Sequence, residues 1–154
     1  MSRPLARLSA GGLPLSSPPV GDRVRVLVVE DDPDTLAAVA TTLRDADEFA
    51  VWVARDADQA LAVADELGYD ADVLVLDLDL GHGMRGDQFA AEYRRRAART
   101  TPIVVVSGVP RARELARSIR AAAALPKPFD GEELVRTVRI FGTTSKRERS
   151  DPGE

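Results

Sequence analysis

Cysteine is absent from the 154 residues of this chain. Disulfide bridges and thiolate metal sites are therefore excluded. Histidine occurs only once, at His82, so we expect that residue to be an exposed loop residue and not a metal ligand. No apolar run approaches the ~20 residues of a membrane span. The formal net charge is −4, which gives no indication of nucleic acid or an anionic membrane as a partner. We expect a cytoplasmic protein that binds neither nucleic acid nor membrane.

The composition that remains is typical of one globular domain, with 44% hydrophobic and 30% charged residues. Residues 1–22 are rich in Pro, Gly and Ser and lack the continuous apolar core of a signal peptide, which predicts a disordered leader. Residues 143–154 are polar and charged, which predicts a flexible tail. The predicted folded domain therefore spans residues 23–142, and too few residues follow it for a DNA-binding output domain.

Within this domain, short apolar runs alternate with amphipathic stretches. The strict alternation predicts a (βα)₅ α/β fold, a doubly wound parallel five-stranded sheet with helices on both faces. The predicted strands are residues 24–29, 50–54, 73–76, 103–106 and 123–125. The predicted helices begin at Pro33, span residues 57–67, 88–98 and 111–121, and begin again at Asp130.

Five polar residues directly follow the apolar runs that read as buried strands. Glu30 and Asp31 follow VRVLVV, Asp77 follows VLVL, Ser107 follows IVVV, and Lys127 follows ALP. Ligands of open α/β sheets bind outside the carboxyl ends of the strands. One pocket would therefore hold three carboxylates, a hydroxyl and an ammonium, a set that suits a divalent cation and a phosphoryl group.

Each of these side chains has a chemical use in phosphoryl transfer. Asp77 can attack phosphorus and form an acyl phosphate. Mg²⁺, which prefers carboxylate and substrate oxygens, would relieve the repulsion between the two negative groups. Lys127 and Ser107 can contact the phosphoryl oxygens. Acidic residues that follow strands are also common helix caps, and Asp32 fits that simpler interpretation.

Four segments resemble the receiver domain of bacterial two-component response regulators. They are VLVVEDDPDT, VLVLDLDL, TPIVVVSG and LPKPFD, in the family's order and at its intervals, and the resemblance covers about residues 24–141. It implies a flavodoxin-like sheet with strand order 2-1-3-4-5. It also implies a single-domain, chemotaxis-regulator-like protein in a phosphorelay, which is not an enzyme beyond its own phosphorylation and dephosphorylation.

The resemblance assigns roles to particular residues. Asp77 is implied to be the phosphorylated residue, and Ser107 and Lys127 are implied to contact its phosphoryl group. The implied Mg²⁺ ligands are Glu30, Asp31, Asp77 and the backbone carbonyl of Asp79. The implied partners are a histidine kinase or a histidine phosphotransfer protein and an unidentified output protein, which we expect at the arginine-bearing fourth helix.

The chain departs from the family pattern at three positions. Gly81 stands where a proline is usual, Asp79 adds an acidic side chain, and Ala124 replaces an aromatic residue that often couples to the hydroxyl residue. Two alternatives stay open. The LVLDLDLG segment also resembles the Asp-x-Asp signature of haloacid-dehalogenase-type phosphatases, although the second acidic motif of that family is missing. A receiver that is never phosphorylated would act only as a binding module.

Overall fold

A computed structural model describes residues 22–80 and 83–151, in which five parallel strands form one sheet in the order β2-β1-β3-β4-β5. The strands are β1 (Val24–Val29), β2 (Phe49–Ala54), β3 (Val73–Leu76), β4 (Ile103–Ser107) and β5 (Ala123–Pro126). The helices are α1 (Pro33–Arg44), α2 (Ala57–Glu66), α3 (Gly86–Arg96), α4 (Ala112–Ser118) and α5 (Gly131–Ser150). The predicted fold class and strand order are confirmed. The leader up to Gly21, Gly81 and His82 lie outside the described residues.

The strands are apolar because the sheet is covered on both faces. Side chains alternate across a strand, so β3 contributes Leu74 and Leu76 to one core and Val73 and Val75 to the other. The first core is completed mainly by α2 and α3, and the second by α1 and α5. None of the described helices is long and apolar enough to cross a membrane.

The register aligns the carboxyl ends of the central strands. Leu76, the last residue of β3, pairs with Val29 of β1 and with Val105 of β4. The Asp77 backbone N–H continues this pairing by donating to the Val29 carbonyl at 2.9 Å. Residues that follow β1, β3, β4 and β5 therefore meet at one edge of the sheet.

Helix α4 is shorter than its sequence pattern predicts. It ends at Ser118, and Arg120 then adopts a positive φ of 56°. This turn lets the Ala121 N–H donate to the Ala116 carbonyl at 2.9 Å, which closes the helix end before β5 begins. The sequence pattern predicted a longer helix because Ala121, which lies after the end of α4, also packs against the core.

Helix α5 continues to Ser150, so the prediction of a flexible tail from residue 143 is wrong for the described part of that segment. Gly142 lies so close to β1 that an added Cβ would be 2.5 Å from Val24 Cγ1. Ser145 is buried three residues later, and Arg99 Nη1 donates to both its carbonyl and its Oγ at 2.8 Å. The sequence pattern missed this segment because the contacts that hold it are polar.

The end of α5 is also held by a buried carboxylate, Asp72, which binds two arginines. Asp72, immediately before β3, is fully buried. Its two oxygens accept a bidentate pair of hydrogen bonds from Arg149 Nε and Nη2, each 2.9 Å long. They also accept from Arg99 Nη2 and from the Arg25 backbone N–H, both at 2.8 Å. Asp72 therefore joins the end of α5 to the amino-terminal edge of the sheet.

We expect Arg149→Ala to lower the free energy of unfolding by roughly 2 kcal/mol or more, because it removes two charge-assisted hydrogen bonds from a buried carboxylate. Arg147→Ala is a matched control, since Arg147 is exposed in the same part of α5. Urea denaturation followed by circular dichroism would measure both. Equal stability of the two variants would show that the end of α5 is not anchored through Asp72.

Candidate functional site

Asp77 occupies the centre of the aligned strand ends. It is 4% exposed and directly follows β3. Its Oδ1 accepts a hydrogen bond from the Asp79 backbone N–H at 3.1 Å, and its Oδ2 lies 3.4 Å from Lys127 Nζ. The carboxylate is thus fixed in orientation by one neutral and one charged donor.

Glu30 lies beside Asp77 at the end of β1 and is 3% exposed. Its Oε1 forms an ion pair with Lys127 Nζ at 2.7 Å, and its Oε2 accepts from the Asp32 backbone N–H at 3.1 Å. Asp32 itself caps α1, as its side chain accepts the Thr35 N–H at 2.8 Å. The capping interpretation of Asp32 is confirmed, and the same turn orients Glu30.

Three carboxylates converge at this point. Glu30, Asp31 and Asp77 each offer an oxygen, and these oxygens lie within 4.8 Å of one another. Asp31 is exposed, whereas the other two are buried, so the cluster opens to solvent on one side. An all-oxygen set that leaves room for water fits a hard divalent cation such as Mg²⁺. The structure brings together these three predicted ligands.

Burial and mutual repulsion make it costly to keep all the carboxylates of this cluster charged. Burial is the main cause that raises the pKa of Glu30 to about 7, and the charge of Asp77 adds to it, although hydrogen bonds from Lys127 and the Asp32 N–H oppose the shift. Burial would also lower the pKa of Lys127, but the neighbouring Glu30 and Asp77 carboxylates outweigh it and raise that pKa. Lys127 therefore stays charged and acts as the counterion of both buried acids.

Ser107 completes the strand-end set on the other side of Asp77. It is buried at the end of β4, and its Oγ accepts a hydrogen bond from the Val109 N–H at 3.2 Å. The Lys127 backbone N–H donates to the Ser107 carbonyl at 3.1 Å, and the Lys127–Pro128 peptide bond is cis. Ser107 and Lys127 line one cavity of about 230 Å³. Ser107 Oγ donates no hydrogen bond to any described residue, which leaves its proton for an acceptor in that cavity.

Two further residues shape the loop after β3. Asp79 is exposed, and its backbone N–H holds Asp77 Oδ1; the metal-binding role of its carbonyl stays a prediction. Gly86, the first residue of α3, was not identified from the sequence. A Cβ there would lie 2.6 Å from the Asp77 carbonyl oxygen and 2.7 Å from Leu78 Cα. The only signal in the sequence was a glycine at a helix start that follows a strand-end acid. Only the packing shows that Gly86 lies against the Asp77 backbone.

The family described as the response regulator receiver domain matches residues 26–139 of this chain. Transcriptional regulatory protein CpxR of Klebsiella pneumoniae is 33% identical over 119 residues, which are 76% of this chain and 48% of that protein. Transcriptional regulatory protein CutR of Streptomyces coelicolor is 38% identical over 120 residues, 77% of this chain and 54% of that protein. The chain spans about half the length of these curated relatives. Their names describe transcriptional regulators, which does not fit the expectation that nucleic acid is excluded as a partner.

Solved structures resemble the fold over most of its length. Chemotaxis protein CheY4 of Vibrio cholerae gives a TM-score of 0.67 at 29% identity, covering 77% of this chain and 98% of that one. The receiver domain of NtrX from Brucella abortus gives a TM-score of 0.69 at 28% identity, again covering 77% and 98%.

The raised pKa of Glu30 predicts a pH-dependent cation site. Above about pH 7 the Glu30 carboxylate is free to bind, whereas below it a cation must displace a proton, so the apparent affinity should fall by up to about tenfold per pH unit. Calorimetric titration with Mg²⁺ at several pH values would measure this. Glu30→Gln should bind more weakly with a flatter profile, and a flat wild-type profile would contradict the prediction.

We expect Gly86→Ala to destabilise the protein by roughly 1–3 kcal/mol and to weaken Mg²⁺ binding, because the methyl group would push against the Asp77 backbone. Gly131→Ala is the matched control. Gly131 is also the first residue of a helix, but its Cβ would make only an ordinary contact of 3.4 Å with Thr42. Urea denaturation should show a neutral or small stabilising effect for Gly131→Ala. Equal effects of the two substitutions would mean that the close approach at Gly86 is unimportant.

Proposed function

Because this chain belongs to the family of response regulator receiver domains, we propose that it accepts a phosphoryl group on Asp77 from a histidine kinase or a histidine phosphotransfer protein. The observation that carries the proposal is the position of Asp77. Its buried carboxylate lies within one cluster with Glu30 and Asp31 and within 3.4 Å of the Lys127 ammonium. Those neighbours supply the charge neutralisation that phosphoryl transfer requires.

The proposed reaction is a displacement at phosphorus. A carboxylate oxygen of Asp77 attacks the phosphorus of the donor phosphohistidine and forms a P–O bond. The P–N bond breaks, and its electron pair stays on the imidazole nitrogen of the donor. Mg²⁺ held by Glu30, Asp31, Asp77 and the Asp79 carbonyl would neutralise the phosphoryl oxygens and reduce their repulsion by Asp77.

Lys127 has two roles in this proposal. Before the reaction its ammonium neutralises Glu30 and Asp77, at 2.7 and 3.4 Å. A cation among the carboxylates would take over that task, so Lys127 could turn to a phosphoryl oxygen. The Ser107 hydroxyl could donate to another phosphoryl oxygen, since its Oγ already accepts the Val109 N–H and its proton has no acceptor among the described residues. These two movements would carry the signal from Asp77 to α4 and β5.

We further propose that the chain acts in the cytoplasm as a phosphorelay component that signals through protein contacts at α4 and β5. The family match argues against the phosphatase alternative, and so does the order of the elements, because Asp77 follows the third strand and an acidic pair already follows the first. The binding-module alternative requires that Asp77 is never phosphorylated. The fate of a phosphoryl group at Asp77 therefore distinguishes the proposal from both alternatives.

The test is treatment with acetyl phosphate and Mg²⁺ followed by mass spectrometry of the intact protein. We expect one added phosphoryl group in the wild type and none in Asp77→Asn. Asp65→Asn is the matched control, because Asp65 is an exposed acid on α2 outside the carboxylate cluster and should leave the labelling in place. Absence of labelling by acetyl phosphate and by a phosphorylated histidine kinase would favour the binding module. Sustained turnover of a phosphomonoester would favour the phosphatase.

A further inference from the structure

A cavity of about 400 Å³ opens at the β2 side of the carboxylate cluster, whereas Ser107 and Lys127 lie at its β4 and β5 side. Asp31, the exposed member of the cluster, lines this cavity, and so does Arg55, which directly follows β2. The first turn of α2 and the loop after β3 form the rest of its described wall. The cavity therefore joins the carboxylates to an arginine that the phosphoryl chemistry described above does not use.

The register of the sheet places the backbone of Arg55 beside Glu30. Ala54, the last residue of β2, pairs with Val29, and the Glu30 N–H donates to the Ala54 carbonyl at 3.1 Å. The first turn of α2 restrains the same backbone, because Gln59 Oε1 accepts the Arg55 N–H at 2.6 Å. Arg55 is therefore presented at the same edge of the sheet as the strand-end residues of the site.

The guanidinium of Arg55 has no partner among the described residues. The side chain is exposed, and within the described part of the chain it forms neither an ion pair nor a hydrogen bond. Lys127 differs in this respect, since Glu30 and Asp77 hold its ammonium at 2.7 and 3.4 Å. At the β2 side of the cluster, Arg55 thus offers five N–H donors and a positive charge to a ligand.

An anionic phosphodonor would benefit from a cation at this position. Three carboxylates face a single ammonium in the site, so a donor that enters past Asp31 meets excess negative charge. Strand β1 separates β2 from β3, which sets the backbones of Arg55 and Asp77 two strand spacings apart, roughly 10 Å. A long arginine side chain and the phosphoryl group of a donor can together bridge that distance. The planar guanidinium also matches two phosphoryl oxygens at once.

We propose that Arg55 binds the phosphoryl oxygens of the incoming donor at the Asp31 side of the site, before transfer to Asp77. This inference deepens the proposed function and rests on it. Arg55 would hold the donor from β2, while Ser107 and Lys127 would contact the same phosphoryl group from β4 and β5. A simpler interpretation is that Arg55 only offsets the charge of Asp31 and of the acids at the start of α2.

The test is a titration of the unphosphorylated full chain with inorganic phosphate in the presence of Mg²⁺, followed by ³¹P NMR. We expect Arg55→Ala to weaken phosphate binding about five- to tenfold, because it removes charge-assisted hydrogen bonds. Arg55→Lys should retain part of the affinity, since it keeps the charge but loses the planar fork. The difference between wild type and Arg55→Ala should shrink at high salt. Arg147→Ala is the matched control, because Arg147 is also exposed but lies near the end of α5.

Calorimetric titration with Mg²⁺ alone distinguishes donor binding from damage to the site. Arg55→Ala should bind Mg²⁺ as tightly as the wild type or more tightly, because it removes a positive charge beside Asp31. Weaker binding of both Mg²⁺ and phosphate would overturn the inference by showing that the substitution disrupts the carboxylate cluster. Tighter Mg²⁺ binding with unchanged phosphate binding would also overturn it and would support the simpler interpretation.

Acetyl phosphate labelling separates this inference from the proposed function. We expect Arg55→Ala to need about five- to tenfold more acetyl phosphate for half-maximal rate, with little change in the maximal rate, since Arg55 acts in capture of the donor. Labelling of Arg55→Ala with wild-type concentration dependence, or a wild type that binds no phosphate, would overturn the inference and leave the proposed function standing. Phosphate binding that depends on Arg55 without any labelling of Asp77 would refute the proposed function and leave an anion site at Arg55.

Discussion

The arrangement of the site depends on the ion pairs that the Lys127 ammonium forms with Glu30 and Asp77. Glu30 and Asp77 are buried side by side, and both would be costly there without a nearby positive charge. Lys127 lies 2.7 Å from one and 3.4 Å from the other. One ammonium leaves an imbalance of charge against two carboxylates, and burial, with an added contribution from the charge of Asp77, raises the pKa of Glu30 to about 7. The same imbalance makes the cluster receptive to a second cation.

At the opposite edge of the sheet, the charge of another buried carboxylate is compensated in a different way. Asp72 is also a buried carboxylate, but two arginines and a backbone N–H donate four hydrogen bonds to its two oxygens. Both Asp72 oxygens are paired by described residues, so the result is an anchor for α5. A buried acid that is fully paired stabilises the fold, whereas one that is incompletely paired can bind and react.

Most of the site could be predicted because it follows from strand ends. An apolar run of β-branched residues indicates a buried strand, and parallel strands place their following residues at one edge; Glu30, Asp77 and Ser107 were located in this way. Gly86 and the end of α5 could not be predicted. Gly86 matters because a Cβ there would lie 2.6 Å from the Asp77 carbonyl oxygen, a close approach that only the folded loop creates. Residues 143–150 are held by arginines that resemble solvent-exposed charges.

The sequence by itself determined the alternation of strands and helices, the identity of the five strand-end residues and the absence of bulk at Ala124, since these depend on local pattern and residue type. The tertiary structure decided which charges meet. The sequence pattern grouped Lys127 with Glu30 and Asp77 in one pocket, but only the packed sheet sets their ion pairs at 2.7 and 3.4 Å and brings Arg149 to Asp72. The physical reason is that electrostatic contacts form between residues 50 to 97 positions apart at Asp77 and Glu30, a separation over which local patterns carry no information.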